Sequence, residues 1–156
     1  MDNKNILTSI VEFLVNIAVK ELKIIWPLHP RTSNNLKEFG LYNKLSEQKN
    51  IFILHPLNYR ETLKLNSSAQ VVLTDSGGLQ EECTVLGTPC LTLRSNTERL
   101  VTLRENKGTS VLVGNNIEKI TEEFYKALPF EKKPYRPPLW DGHAAERYVE
   151  EIIKRV

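Results

Sequence analysis

Cysteine is scarce in this sequence, which has only Cys83 and Cys90 among its 156 residues. Both lie in apolar stretches, and their spacing matches neither a zinc site nor a redox pair. We therefore expect buried, reduced thiols, which favours a cytoplasmic location. The three histidines have no cysteine or carboxylate partners at ligand spacing, so we predict no metal ion and no other cofactor.

A strong excess of charge of either sign is also missing. Lysine and arginine total 21 and aspartate and glutamate total 19, which gives a formal net charge of +2. The electrostatic field of so small a net charge does not favour binding to nucleic acid or to an anionic membrane. Any anion that the chain binds must therefore be recognised by a local group of residues.

The sequence has no hydrophobic run long enough for a membrane span. Its first apolar stretch, Ile6–Val19, is interrupted by Glu12 and Asn16 and is followed by no signal-cleavage pattern. Apolar residues recur in it at helical spacing, which predicts an amphipathic helix. No predicted strand precedes this helix, so we expect Met1 to be an artificial or truncated start within something longer.

The middle of the chain alternates between short apolar runs and segments with helical features. The runs predict five strands, at Leu22–Leu28, Asn50–Leu54, Val71–Thr74, Cys90–Leu93 and Ser110–Val113. Helices are predicted at Asn34–Phe39, Tyr59–Asn66, Gly78–Leu86, Glu98–Glu105 and Ile117–Leu128. Continuous apolar strands separated by helices are typical of a parallel sheet covered on both faces. We therefore predict one doubly wound α/β domain over residues 1–156.

Proline is concentrated near the C-terminus, where four of the eight prolines lie in Pro129–Pro138. Proline breaks helices, so this segment is predicted to be an extended connector. A terminal helix is predicted over residues 141–155, with Asp141 placed to cap its first turn.

The most informative stretch is Val71–Gly87, VVLTDSGGLQEECTVLG. A predicted strand is followed there by Ser76, Gly77 and Gly78, and a helix starts at once. Unpaired backbone N–H groups at a helix N-terminus attract anions, and glycine lets a phosphate approach closely. The stretch therefore predicts an anion site that a pyrophosphate fits. A tight turn without a ligand is the alternative.

Charged side chains follow this turn. Glu82 lies one helical turn after Gly78, where a carboxylate could accept hydrogen bonds from a ribose diol, whereas Glu81 is expected to point elsewhere. Acidic residues that merely favour the helix dipole are the alternative. Arg94 and Arg99 could reach the carboxyl edge of the sheet, where ligands of open α/β sheets bind. Surface ion pairs with glutamates are the alternative for both arginines.

Two histidines follow predicted strand ends directly. His29 in WPLHP could donate a hydrogen bond to a phosphate. His55 in ILHP is more typical of a strand-end residue whose partners are backbone groups. The two side chains could face one cleft.

Five motifs, in one order, resemble the C-terminal domain of the non-hydrolysing UDP-N-acetylglucosamine 2-epimerase family. They are WPLHPRT at 26–32, LTDSGGLQEE at 73–82, LGTPCLTLRSNTER at 86–99, LVG at 112–114 and DGHAAER at 141–147. The resemblance runs from the first predicted helix to the last. It implies a Rossmann-like fold that forms one half of a two-domain, GT-B-type architecture, with the active site between the domains.

The resemblance also implies roles for individual residues. Ser76, Gly77 and Gly78 would hold the diphosphate of UDP, Glu82 the ribose, and Arg99 part of the nucleotide sugar. His29 matches a histidine that contacts a second, allosteric UDP-N-acetylglucosamine molecule in bacterial members.

The implied reaction interconverts UDP-N-acetylglucosamine and UDP-N-acetylmannosamine by elimination and re-addition of UDP, a step that serves polysaccharide biosynthesis. The family's acid and base carboxylates belong to an N-terminal domain that is absent from this chain, so the isolated chain is expected to be inactive. Its implied partners are a UDP-sugar, that N-terminal domain and a second copy in a homodimer. Two alternatives remain: half of a glycosyltransferase, and a nucleotide-binding module without catalysis.

Overall fold

The computed structural model describes residues 2–155, and the five strands found among them all lie within the predicted runs. The strands are β1 (Ile24–Pro27), β2 (Ile51–Leu54), β3 (Val72–Thr74), β4 (Cys90–Thr92) and β5 (Ser110–Leu112). The helices are α1 (Lys4–Phe13), α2 (Val19–Glu21), α3 (Pro30–Glu38), α4 (Tyr42–Ser46), α5 (Tyr59–Ser68), α6 (Gly77–Leu86), α7 (Ile117–Ala127) and α8 (Ala144–Ile153). This alternation confirms the predicted α/β fold with parallel strands.

The strands pair in parallel but form two sheets instead of one. Strand β1 pairs with β2, and β4 lies between β3 and β5. No ladder joins β1 to β3 among residues 2–155. Within residues 2–155 the parallel strands thus form two hydrogen-bonded groups, β1 with β2 and β3 with β4 and β5, in keeping with the predicted α/β fold.

Strands β1 and β3 each use alternate backbone groups to bond their one partner strand. On β1, the Ile24 N–H donates to Asn50 O at 2.8 Å, toward β2. On β3, the Val72 N–H donates to Pro89 O at 2.9 Å, toward β4. Backbone groups alternate in direction along a strand, so those of Ile25 and Leu73 point away from these partners.

One hydrophobic core serves both sheets. Its buried side chains come from the first helix, from both sheets and from α7: Leu7, Ile10, Val11, Phe13, Leu28, Ile51, Leu91, Val113, Ile120 and Phe124 are among them. The rings of Phe13 and Phe124 meet edge to face, with centroids 5.4 Å apart, which joins α1 to α7. The amphipathic first helix predicted from sequence therefore holds the two sheets together.

The first helix contains a wider turn than the sequence indicates. Asn3 caps α1 by accepting hydrogen bonds from the N–H groups of Asn5 and Ile6. A π-helical turn then occupies Leu14–Ala18 before α2 continues the helix. The predicted span Ile6–Val19 is confirmed as helical, with this change in winding.

Two further segments differ from the sequence prediction. The helix predicted at Glu98–Glu105 is wrong, because the segment forms 3-10 turns at Leu100–Thr102 and Arg104–Asn106. Between them Leu103 has an extended backbone, with φ −70° and ψ 145°, which no continuous helix allows. Helix α4 was not predicted.

The proline-rich segment packs on the domain without regular structure. Residues 130–137 contain neither helix nor strand, as predicted for the connector. The Tyr135 N–H donates to Thr84 O at 3.1 Å, and Gln70 Nε2 donates to Leu128 O at 2.8 Å. The chain then enters α8, where Asp141 forms an ion pair of 2.8 Å with Arg147. This pair, together with a hydrogen bond from the His143 N–H, lowers the pKa of Asp141 to about 2.

Two apolar surfaces are left uncovered. On one face of the first sheet Ile25 and Phe52, which are neighbours in register, are each 45% exposed. None of the residues of α8, all described, is buried. Its exposed apolar side chains are Tyr148, Val149, Ile152 and Ile153. Within residues 2–155, no helix is long and apolar enough to cross a bilayer.

Candidate functional site

The turn from β3 into α6 presents backbone N–H groups at its surface. Ser76 is the N-cap, with φ −85° and ψ 126°, and its Oγ accepts a hydrogen bond from the Leu79 N–H at 3.5 Å. Gly77 and Gly78 are the first residues of the 10-residue helix α6. Amides at this position have no intrahelical partner and lie at the positive end of the helix dipole. The predicted glycine turn at the start of a helix is therefore present, and its binding of an anion stays a prediction.

Arg99 lies directly over this turn. A Cβ atom at Gly77 would be 2.8 Å from Nε of Arg99 and 3.4 Å from Oε1 of Glu98. Glycine thus allows the guanidinium to pack against the first turn of the helix. The sequence prediction placed both groups at one edge, and the structure brings them into contact.

Glu81 is a partner of Arg99, which corrects the expectation that it points elsewhere. Its Oε1 accepts a hydrogen bond of 2.6 Å from Nη1 of Arg99. Both side chains are about one third exposed, at 35% for Glu81 and 36% for Arg99. The sequence could have predicted this contact, because Glu81 follows Gly77 by four residues and the two positions share one face of the helix.

A second ion pair lies beside the first. Nη1 of Arg94 is 3.6 Å from Oε2 of Glu98, and Nε of Arg99 is 3.7 Å from Oε1 of the same residue. A backbone hydrogen bond within Glu98, and then the charges of Arg94 and Arg99, hold its pKa below the usual value. The surface ion pairs considered from sequence are therefore present, with Glu81 and Glu98 as the acids.

Glu82 faces another helix. It is half-buried, and its Oε2 lies 3.4 Å from Nδ2 of Asn66, a buried residue of α5. The carboxylate thus stands on α6, one turn after Gly78, as the sequence indicated. Its assignment to a ribose stays a prediction.

His29 occupies the end of β1 and caps α3. Its Nδ1 accepts a hydrogen bond of 3.2 Å from the Arg31 N–H, so Nε2 carries the proton of the neutral ring. This leaves an exposed donor, as predicted, but none of the contacts among the described residues connects His29 to the turn at Gly77.

Gln80 was missed by sequence reasoning. This residue of α6 is completely buried, at 0% exposure, beneath the turn that carries the glycines. Its Oε1 lies 3.0 Å from Oγ1 of Thr97 and 3.4 Å from Oγ1 of Thr102. A glutamine between a glycine pair and a glutamate pair gives no sign of its direction, so only the fold shows these contacts.

In residues 2–155, no group of three or more histidine, cysteine, aspartate or glutamate side chains is arranged to hold a metal ion. Cys83 and Cys90 are free and buried, as predicted. The groups around the glycine turn are backbone amides, guanidinium groups, carboxylates and hydroxyls.

Comparison with known proteins identifies the family. The sequence profile described as UDP-N-acetylglucosamine 2-epimerase matches residues 1–153. The chain is 43% identical over 150 residues to UDP-N-acetylglucosamine 2-epimerase of Methanocaldococcus jannaschii, covering 96% of this chain and 40% of that protein. It is 37% identical over 150 residues to UDP-2,3-diacetamido-2,3-dideoxy-D-glucuronate 2-epimerase of Pseudomonas aeruginosa, covering 95% of this chain and 40% of that protein.

A solved structure supports the same relationship. The crystal structure of the Methanocaldococcus jannaschii UDP-GlcNAc 2-epimerase in complex with UDP-GlcNAc and UDP matches with a TM-score of 0.83 and 41% identity. The match covers 98% of this chain and 42% of that one, so the chain spans about two fifths of the length of these relatives. This likeness confirms the predicted Rossmann-like fold. Because the family profile spans nearly all of the sequence, the chain belongs to the UDP-N-acetylglucosamine 2-epimerase family.

Proposed function

We propose that this chain is the UDP-binding part of an enzyme that interconverts UDP-N-acetylglucosamine and UDP-N-acetylmannosamine. One observation carries the proposal: the Arg99 guanidinium lies over Gly77, at the N-terminus of α6. A cation and free backbone amides converge there, and together they suit a diphosphate. The M. jannaschii relative, whose structure contains UDP and UDP-GlcNAc, supports the choice of ligand.

The residues have distinct roles in this proposal. The hydroxyl of Ser76 and the N–H groups of Gly77 and Gly78 hold the diphosphate oxygens. Arg99 adds positive charge to the same group. Asn66 occupies Oε2 of Glu82, which leaves Oε1 of that carboxylate to accept hydrogen bonds from the ribose diol.

His29 has a less direct role. Its Nε2–H is exposed at the carboxyl end of β1, where it would donate to a phosphate oxygen of a second nucleotide sugar. This placement is consistent with an allosteric site next to the catalytic one.

These groups act on the leaving group of the reaction. In the elimination a base removes the proton from C2 while the C1–O bond to UDP breaks, which gives 2-acetamidoglucal and free UDP. Negative charge grows on the β-phosphate oxygen as that bond breaks, and the α6 amides with Arg99 stabilise it. Re-addition of UDP with protonation of C2 from the opposite face gives the epimer.

The carboxylates for the proton transfers would come from another domain. The relatives are more than twice as long as the matched region, since the chain covers 40% of the M. jannaschii protein. The bare face at Ile25 and Phe52 and the exposed stripe of α8 are surfaces suited to an N-terminal domain of a two-domain, GT-B-type enzyme. The same surfaces would serve a homodimer, and the free buried thiols are consistent with a cytoplasmic location.

A substitution at Gly78 tests the proposed contact with the diphosphate. A Cβ atom there has Oγ of Ser76 as its nearest described neighbour, at 3.8 Å, so alanine fits the free protein. Gly78→Ala should therefore leave the free energy of unfolding unchanged or raise it by up to about 1 kcal/mol. We expect the same change to weaken UDP binding about tenfold in calorimetric titrations, because the methyl group keeps the phosphate from the backbone.

Alanine at Gly142 is the control, since its added Cβ meets nothing within 4 Å; its φ of +89° strains the backbone locally, so the control is compared on UDP binding and not on stability. Gly142→Ala should bind UDP as the wild type does. Unchanged UDP affinity in Gly78→Ala would place the diphosphate elsewhere and contradict the assignment. Transfer of the sugar to an acceptor by the full-length enzyme would favour the glycosyltransferase alternative.

A further inference from the structure

The segment that carries Arg99 is fixed by two threonine hydroxyls. Oγ1 of Thr97 accepts a hydrogen bond from the Arg99 N–H at 3.0 Å. Oγ1 of Thr102 donates to the Arg99 carbonyl oxygen at 2.7 Å. Both backbone groups of Arg99 are therefore held by side chains of its own loop.

Both hydroxyls contact one buried amide. Oε1 of Gln80 is 3.0 Å from Oγ1 of Thr97 and 3.4 Å from Oγ1 of Thr102. Gln80 and Thr102 are each 0% exposed, so water does not compete for these contacts. The Gln80 amide is therefore next to both of the hydroxyl oxygens that bond the Arg99 backbone.

The amide itself has spare hydrogen-bonding capacity. Nε2 of Gln80 is buried and has no hydrogen-bond partner in residues 2–155. Rotation of the amide by half a turn would let Nε2 donate to the same two hydroxyls, since each has a free lone pair. In the described orientation the single hydroxyl proton of Thr102 goes to the nearer Arg99 carbonyl, so Oε1 of Gln80 accepts from Thr97 alone; the rotated amide donates to both hydroxyls.

Gln80 belongs to the helix that offers the glycine amides. It stands three residues after Gly77 in α6, and Thr84 extends the link by donating to the Gln80 carbonyl at 2.9 Å and lying 3.4 Å from the Thr102 carbonyl. A buried network therefore ties the helix N-terminus to the loop of Arg99.

We propose that Gln80 is a positioning residue, which holds Arg99 over the α6 N-terminus through Thr97 and Thr102. This proposal rests on the proposed function, because holding Arg99 over the turn matters only for binding the diphosphate there. Gln80 itself touches no ligand. Its effect on UDP affinity passes through Arg99.

A double-mutant cycle tests this dependence. Gln80→Met keeps the length of the side chain and removes the amide, and we expect it to weaken UDP binding about tenfold. In an Arg99→Ala background the same change should alter UDP affinity less than about twofold. A general structural effect would instead lower affinity equally in both backgrounds, and that result would overturn the proposal.

A second pair of variants covers the case in which Gln80→Met does not fold. Thr97 is half-buried and accepts from the Arg99 N–H, so Thr97→Val should weaken UDP binding while Thr97→Ser restores it. Equal affinities for Thr97→Val and Thr97→Ser would contradict the proposed route. Valine keeps the branched shape of threonine without the hydroxyl, whereas serine keeps the hydroxyl without the methyl group.

A measurement without ligand tests the positioning role of Gln80 separately from the proposed binding of UDP. Nε of Arg99 is buried, so its proton should exchange slowly with water in NMR spectra of the free chain. Gln80→Met or Thr97→Val should speed this exchange at least tenfold, and unchanged exchange would refute the positioning role. If exchange is slow in the wild type and faster in these variants but the wild-type chain does not bind UDP, the proposed function is rejected and the positioning role stands.

Discussion

Replacing Arg99 with alanine is expected to weaken UDP binding by this chain about 10- to 100-fold. The guanidinium lies over Gly77, so its loss removes the cation closest to the amides that would hold the diphosphate. Hydrogen bonds to charged groups contribute about 1.5–3 kcal/mol, which corresponds to this range of affinity. Calorimetric titration with UDP measures the change directly, and circular dichroism checks that the variant is folded.

Arg94 provides the matched control for Arg99. It has similar exposure, at 35%, and pairs with Glu98, but it is separated from Gly77 by that carboxylate. Arg94→Ala should change UDP affinity less than about threefold, as expected for an exposed ion pair. A larger loss for Arg94→Ala than for Arg99→Ala would show that Arg94, and not Arg99, contacts the phosphate.

The largest expected effect on stability is that of Gly108→Ala. A Cβ atom at this position would lie 1.9 Å from the Thr102 carbonyl oxygen and 2.7 Å from its Cα. Backbone atoms cannot move aside as a flexible side chain does, so the 3-10 turn at Leu100–Thr102 must shift. We expect the free energy of unfolding to fall by about 3 kcal/mol or more, as measured by urea denaturation.

Gly40 allows steric overlap to be separated from backbone strain. It has φ +70°, and an added Cβ would meet nothing within 4 Å. Gly40→Ala should therefore cost only about 1 kcal/mol, from the left-handed backbone alone. If Gly108→Ala costs no more than Gly40→Ala, the packing of Thr102 against residue 108 is not as tight as described.

The five strands could be predicted because each is a short apolar run between turn-forming residues. Such runs are read locally, and so is the amphipathic first helix with its repeating apolar positions. Helix α4 was missed since its five residues contain a single buried position, Leu45, and no periodic stripe. The break between β1 and β3 is a tertiary feature, because the order of strands in a sheet is not contained in any one segment.

The candidate site also has a part that could be predicted from the sequence and a part that could not. The glycine turn has a local signature, so Ser76, Gly77 and Gly78 could be named from the sequence. Partners such as Glu81 for Arg99 depend on side-chain directions across two segments that are 18 residues apart. The contacts of Gln80 could not be predicted from the sequence, since the partners of a buried amide are known only once the fold places hydroxyl groups around it.

Sugar specificity is the part of the function that relatives leave open. The M. jannaschii and P. aeruginosa relatives carry names with different UDP-sugars, although this chain matches both along nearly its whole length. The nucleotide is common to both names. In the proposed function, therefore, this chain recognises UDP, and the proposed N-terminal domain recognises most of the sugar.

The measurement that tests this account most directly is calorimetric titration of the chain with UDP, UMP and ADP. The account predicts that UDP binds more tightly than UMP, because UMP lacks the second phosphate that Arg99 and the α6 amides would hold. It also predicts weaker binding of ADP, whose base differs. Equal affinities for UDP and UMP, or no binding of UDP by a folded sample, would contradict the assignment of the diphosphate to this turn.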